Sequence, residues 1–84
     1  MSKRHTANIL NFIDEAIFTG VAEVSKELLV KCWYGQDRMS KTIWRDIVGK
    51  LPEDCDVNDY SIFEWADKIV MIDKTCLNDL SGLT

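Results

Sequence analysis

The spacing of apolar residues predicts four helices separated by short polar connections. The first begins after a capping residue, Thr6, and ends at Thr19-Gly20, where glycine suits a positive φ. A second helix is expected from about residue 21 to residue 34, because apolar positions recur on one side and charges of both signs on the other. Gly35 closes it.

Two further helices are predicted in the second half of the chain. Ser40 caps the third, and Pro52 stops it because proline has no N–H to donate within a helix. Ser61 and Glu64 resemble a capping box for the fourth, whose apolar stripe continues to Asp73. A short strand over residues 69–72 is the alternative, since that run is rich in β-branched residues.

Together these elements predict one all-α domain over residues 1–84, a compact bundle of about four helices with a short C-terminal tail. A chain of 84 residues has room for one domain. Trp65 lies in the stripe of the fourth helix and is expected in the core, where Trp65→Ala would cost roughly 3–5 kcal/mol. The leucines of the tail are spaced three apart, which predicts a loose turn: Leu77, Leu80 and Leu83.

Charge is distributed unevenly along the chain. Residues 1–50 carry eight basic and six acidic side chains, whereas residues 51–84 carry two and eight. This asymmetry predicts a polarised surface, and ordinary solvated faces are the alternative. Three cysteines, an odd number, and no apolar run of membrane-spanning length favour a reduced, cytoplasmic protein that does not enter a membrane.

Candidate chemistry is sparse, and the sequence predicts neither an enzyme nor a cofactor. The loop beginning at Asp54 opens like a calcium loop, but Asp59 stands where glycine is needed for the turn. The single His5 and three cysteines match a zinc site in number but lack its short spacing, so no metal is expected and the cysteines are interpreted as small core residues. No general base lies near a nucleophile in the sequence.

Residues 21–28 followed by residues 39–47 resemble a helix-turn-helix. That resemblance implies a DNA-binding regulator whose second helix presents Ser40, Lys41, Thr42 and Arg45 to the major groove. Residues 31–50 carry five basic and two acidic groups, which favours phosphate locally, although the whole chain has a pI near 4.8. A plain antiparallel helix pair explains the same residues.

In size, acidity and lack of catalytic groups the chain also resembles the small accessory proteins of bacteriophages and mobile elements, including anti-CRISPR, anti-restriction and host-inhibitor proteins. That resemblance implies a non-enzymatic protein-binding module, an inhibitor or adaptor that acts on a host protein in the host cytoplasm. A protein is therefore the expected partner. DNA binding through residues 31–50 and association of identical chains are the alternatives.

The partner-binding surface is predicted on the third helix and the connection before it. Arg and Trp are enriched among binding hot spots, and a core of this size is too small to bury every aromatic residue. The expected binding residues are Asp37, Arg38, Lys41, Trp44 and Arg45. The acidic stretch over residues 53–59 is the second candidate.

Overall fold

The computed structural model describes residues 3–78 and 80–82 and contains a three-stranded sheet as well as helices. The predicted all-α class is therefore wrong. The main elements are helix α1 (Lys3–Thr19), strand β1 (Val21–Ser25), a π-helix (Leu28–Trp33), helix α2 (Lys41–Gly49) and strands β2 (Tyr60–Trp65) and β3 (Lys68–Asp73). Short 3-10 turns lie at Val57–Asp59 and Lys74–Cys76.

Helix α1 agrees closely with the sequence prediction. Its stripe is buried at Ile9, Ile13 and Ala16, although Leu10 is 40% exposed. Gly20 ends it at φ +89°, where a Cβ would also approach Cys76 to 3.0 Å. The predicted stop is thus confirmed, while the helix begins at Lys3, before the expected cap at Thr6.

The predicted second helix is wrong in its first part, because Val21–Ser25 forms β1. Val21 and Val24 are β-branched and pair with β3, so tertiary contacts outweigh the local helical pattern. The chain becomes helical only afterwards and widens into the π-helix, where the N–H of Tyr34 donates to the carbonyl of Leu29 at 3.2 Å. Gly35 follows at φ +63°, as expected.

The third predicted helix is confirmed as α2. Ser40 Oγ accepts a hydrogen bond from the N–H of Ile43, and the helix ends before Pro52. The π-helix, α2 and the β2–β3 hairpin follow one another along the chain. Ile43 and Ile47 of α2 are fully buried, and Trp33 of the π-helix meets Phe12 edge-to-face with ring centroids 6.4 Å apart.

The predicted fourth helix is wrong: residues 60–73 form an antiparallel hairpin with a two-residue loop, Ala66-Asp67. Ser61 is no helix cap but lies opposite Ile72 on β3. The alternative of a strand over residues 69–72 is confirmed. In the tail Leu77 and Leu80 are exposed, and Leu83 lies outside the described residues.

The sheet has the order β1-β3-β2, with β3 paired to a strand on each side. Directly opposite residues of antiparallel strands project from the same face, so the register divides the strands into two sets. The core face, which carries Ala22, Ile69 and Met71, is buried against the helices. The opposite face, here called the outer face, has no helix or strand packed over it among the described residues.

Candidate interaction surface

The outer face consists of three rows of residues that cross the sheet. One row aligns Val21, Ile72 and Ser61. The next aligns Glu23, Val70 and Phe63, and the last aligns Ser25, Lys68 and Trp65. The apolar members form a diagonal band from the start of β1 to the end of β2: Val21, Ile72, Val70, Phe63 and Trp65.

Much of this band is open to solvent. Trp65 is 75% exposed, Phe63 53% and Val21 49%. The expectation that Trp65 belongs to the core is therefore wrong, because the strand directs its side chain away from α1. Large aromatic groups left in water on a rigid sheet are typical of surfaces that bind other molecules.

The two charged side chains of the outer face, Glu23 and Lys68, balance each other's charge. Lys68 Nζ and Glu23 Oε1 lie 3.6 Å apart, and both side chains are more than half exposed. One positive and one negative group leave this face close to neutral although the chain carries a net charge of −4. The outer face thus lacks the positive field that attracts a phosphate backbone.

Shallow cavities lie at both ends of the apolar band. One of about 290 Å³ is bordered by Trp65, Lys68 and the hairpin loop. The other, of about 220 Å³, lies between Val21, Ile72 and Leu77. A partner side chain can enter either depression, so the band offers shape as well as apolar area.

The surface expected from the sequence lies elsewhere, on α2 and the connection before it. Asp37, Arg38, Lys41 and Arg45 are all exposed, and none forms an ion pair within the described part of the chain. Trp44 is half-buried and packs against the core, so its ring is only partly available. Asp37 also borders a cavity of about 310 Å³ with Lys31.

A polar cluster joins the end of the π-helix to α2. Tyr34 Oη and Lys50 Nζ each donate to Asp46 Oδ2 at 2.7 Å. Burial alone would raise the pKa of Asp46, but these two donors and the Lys50 charge outweigh it and lower the pKa. Burial and the Asp46 carboxylate raise the pKa of Tyr34 well above its ordinary value, so the phenol stays protonated and the cluster is structural.

The three cysteines differ in their exposure. Cys32 and Cys76 are exposed, contrary to their interpretation as core residues, while Cys55 is half-buried and accepts from Tyr60 Oη at 3.8 Å. Burial, with this contact, raises the pKa of Tyr60 to about 12. Within residues 3–78 and 80–82 no three His, Cys, Asp or Glu side chains are grouped to hold a metal ion.

Asp56, in the acidic loop, caps a 3-10 turn by accepting from the N–H of Asn58 at 2.9 Å. The described helices include none with the length and apolar character to cross a membrane. Comparison with protein-family models, with curated proteins and with solved structures yields no match.

Proposed function

We propose that this protein is a non-enzymatic protein-binding module whose partner docks on the outer face. The observation that supports it is the exposure of Trp65 and Phe63 on one neutral, apolar sheet face. Burying such groups against a partner provides most of the binding free energy at typical protein interfaces. An inhibitor or adaptor that acts by occupying a host protein fits this surface.

A DNA-binding regulator is the second candidate, and α2 supports it. Arg38, Lys41 and Arg45 are exposed near the first turns of a Ser-capped helix that follows another helical segment. The adjacent acidic loop and the net charge of −4 oppose that role. The two candidates therefore use different surfaces, which makes them separable by mutation.

The test is capture of partners from a native host extract, with bound proteins and nucleic acids both identified. Two double variants are compared with the parent chain: Val21→Ser with Trp65→Ser on the outer face, and Lys41→Glu with Arg45→Glu on α2. We expect the outer-face variant to retain at least tenfold less of one specific protein, a loss of about 1.4 kcal/mol. The α2 variant is expected to retain that protein fully.

The opposite pattern would support the regulator. In that case the bound species is nucleic acid, and the α2 variant no longer binds it. The affinity of the parent chain for nucleic acid then falls steeply as salt rises from about 50 to 200 mM. All four substitutions replace exposed side chains, so circular dichroism should show that both variants remain folded.

A further inference from the structure

The outer edge of β2 is a second unpartnered feature of the sheet. Since β3 lies in the middle, β1 and β2 form the two edges. An edge strand presents a row of N–H and C=O groups that can pair with another strand. We propose that β2 pairs antiparallel with β2 of a second copy of this chain, about a two-fold axis, and extends the sheet to six strands.

The residues of β2 offer little of the usual protection of an edge. Lysine and proline commonly guard edge strands, and residues 60–65 contain neither. The single charge on the strand, Glu64, is already neutralised by Lys26, whose Nζ lies 2.7 Å from its carboxylate. The other edge strand, β1, carries Glu23 at its centre, with Lys68 at the longer distance of 3.6 Å, and is followed at once by Lys26.

Charge and shape select the register of this pairing. Residues that pair directly across two antiparallel strands must project from the same face of the sheet. Two identical strands meet this condition only when one residue lies opposite its own counterpart, so the two-fold axis passes beside that residue. With the axis at Phe63, Glu64 lies opposite Ile62 of the second copy and only diagonal to its Glu64, and each of these carboxylates is paired with the Lys26 of its own chain. An axis at Glu64 would place two carboxylates directly opposite each other, which is unfavourable.

The same register gathers the exposed aromatic groups. The two Phe63 side chains become direct neighbours, and each Trp65 lies diagonal to Phe63 of the second copy. Phe63 and Trp65 expose roughly 300 Å² per copy, given about 200–250 Å² for each full side chain. Two copies bring together at most about 600 Å² of this area, less than the roughly 1,200 Å² of stable complexes, so a weak association that depends on concentration is expected.

The first test is analytical ultracentrifugation of the full chain between about 5 and 500 µM, which brackets a micromolar Kd. We expect the parent chain to shift from monomer to dimer, and Phe63→Lys and Phe63→Glu each to stay monomeric because like charges oppose at the axis. An equal mixture of these two variants should dimerise again. The matched control is Val21→Lys, on the same face but at the β1 edge, which should dimerise like the parent.

Each contrary result would overturn the proposal. A parent chain that stays monomeric at every concentration contradicts it, as does a Phe63→Lys variant that still dimerises or a mixture that stays monomeric. Loss of the dimer in Val21→Lys would indicate packing through faces instead. Hydrogen exchange of the parent chain needs no variant: raising the concentration should protect amides of β2 but not of β1.

The pairing shares Phe63 and Trp65 with the proposed docking face but is measured separately. Its readout is mass in solution, whereas the proposed function is read from partner capture. Either proposal can therefore fail while the other stands.

Discussion

The two faces of the hairpin strands carry similar residues in opposite environments. On the core face Ile69 and Met71 are at most 1% exposed, whereas on the outer face Phe63 and Trp65 are 53% and 75% exposed. Large apolar residues on the two faces of the hairpin thus differ sharply in their exposure. This contrast indicates that the core face stabilises the domain, while the outer face adds little to stability and is available for binding.

The largest effect is expected on the core face. Met71→Ala removes a fully buried side chain and leaves a cavity between the sheet and the helices, which should lower the free energy of unfolding by about 2–5 kcal/mol. Urea denaturation followed by circular dichroism measures it. A loss below about 1 kcal/mol would contradict the assignment of this face as core.

The hairpin loop joins β2 to β3, and relieving its strain should raise stability instead. Ala66 has a φ of +55°, a conformation that costs a residue with a side chain about 1–2 kcal/mol. Ala66→Gly relieves this cost but loses more chain entropy on folding, so a net gain of about 0.5–1 kcal/mol is expected. Ala66→Val is the matched control and should lower the melting temperature. A destabilised Ala66→Gly variant would refute the strained loop.

A pH titration measures how much the ionised carboxylate of Asp46, which lies on α2 and not in the sheet, contributes to the free energy of unfolding. The folded state lowers the pKa of Asp46 from its ordinary 3.8, so its contribution is complete above that pH and is lost as pH falls through the folded value. Because the carboxylate is 36% exposed, Asp46→Asn should cost at most about 1 kcal/mol near neutral pH. The difference from the parent should shrink as the pH falls below 3.8 and vanish once the pH is below the lowered folded-state pKa. A difference that is constant with pH would show that the ionised carboxylate contributes nothing.

The smallest effect on stability is expected at the most exposed apolar residue of the outer face. Trp65→Ala should change the free energy of unfolding by about 0.5 kcal/mol or less, because the side chain is largely hydrated in the folded state. Urea denaturation compares it directly with Met71→Ala. A cost near 3 kcal/mol would mean that the ring is buried after all.

Local signals predicted the parts of the fold that depend on local interactions. The end of α1 at Gly20 and the Ser40 cap of α2 follow from backbone conformation and hydrogen bonding within a few residues. The strands depend on pairing between distant segments, such as Val21 with Ile72. Sequence spacing within a single segment carries no information about such a pairing.

The hairpin was concealed for two physical reasons. Residues on both faces are apolar, so the alternation typical of a half-buried strand is missing and the pattern imitates a helix. The loop Ala66-Asp67 also lacks the glycine or asparagine that usually marks a two-residue turn. Strands with apolar residues on both faces normally need cover on both faces, and so small a domain can cover only one. The apolar run in the sequence was therefore a signal of an exposed apolar face.

The candidate site was only partly accessible from the sequence. Asp37, Arg38, Lys41 and Arg45 lie on the surface as expected, while Trp44 is half-buried. The outer face was missed because a helical interpretation of residues 61–73 turned Trp65 inward. Whether a partner binds α2 or the outer face stays a prediction that the two double variants test.

The central claim is that the outer face serves binding and not stability. It is tested most directly by measuring the unfolding free energy and the partner affinity of one protein, the Val21→Ser, Trp65→Ser variant. We expect its unfolding free energy to stay within about 1 kcal/mol of the parent while its affinity for the captured partner falls at least tenfold. A folded variant that binds as tightly as the parent would contradict the claim.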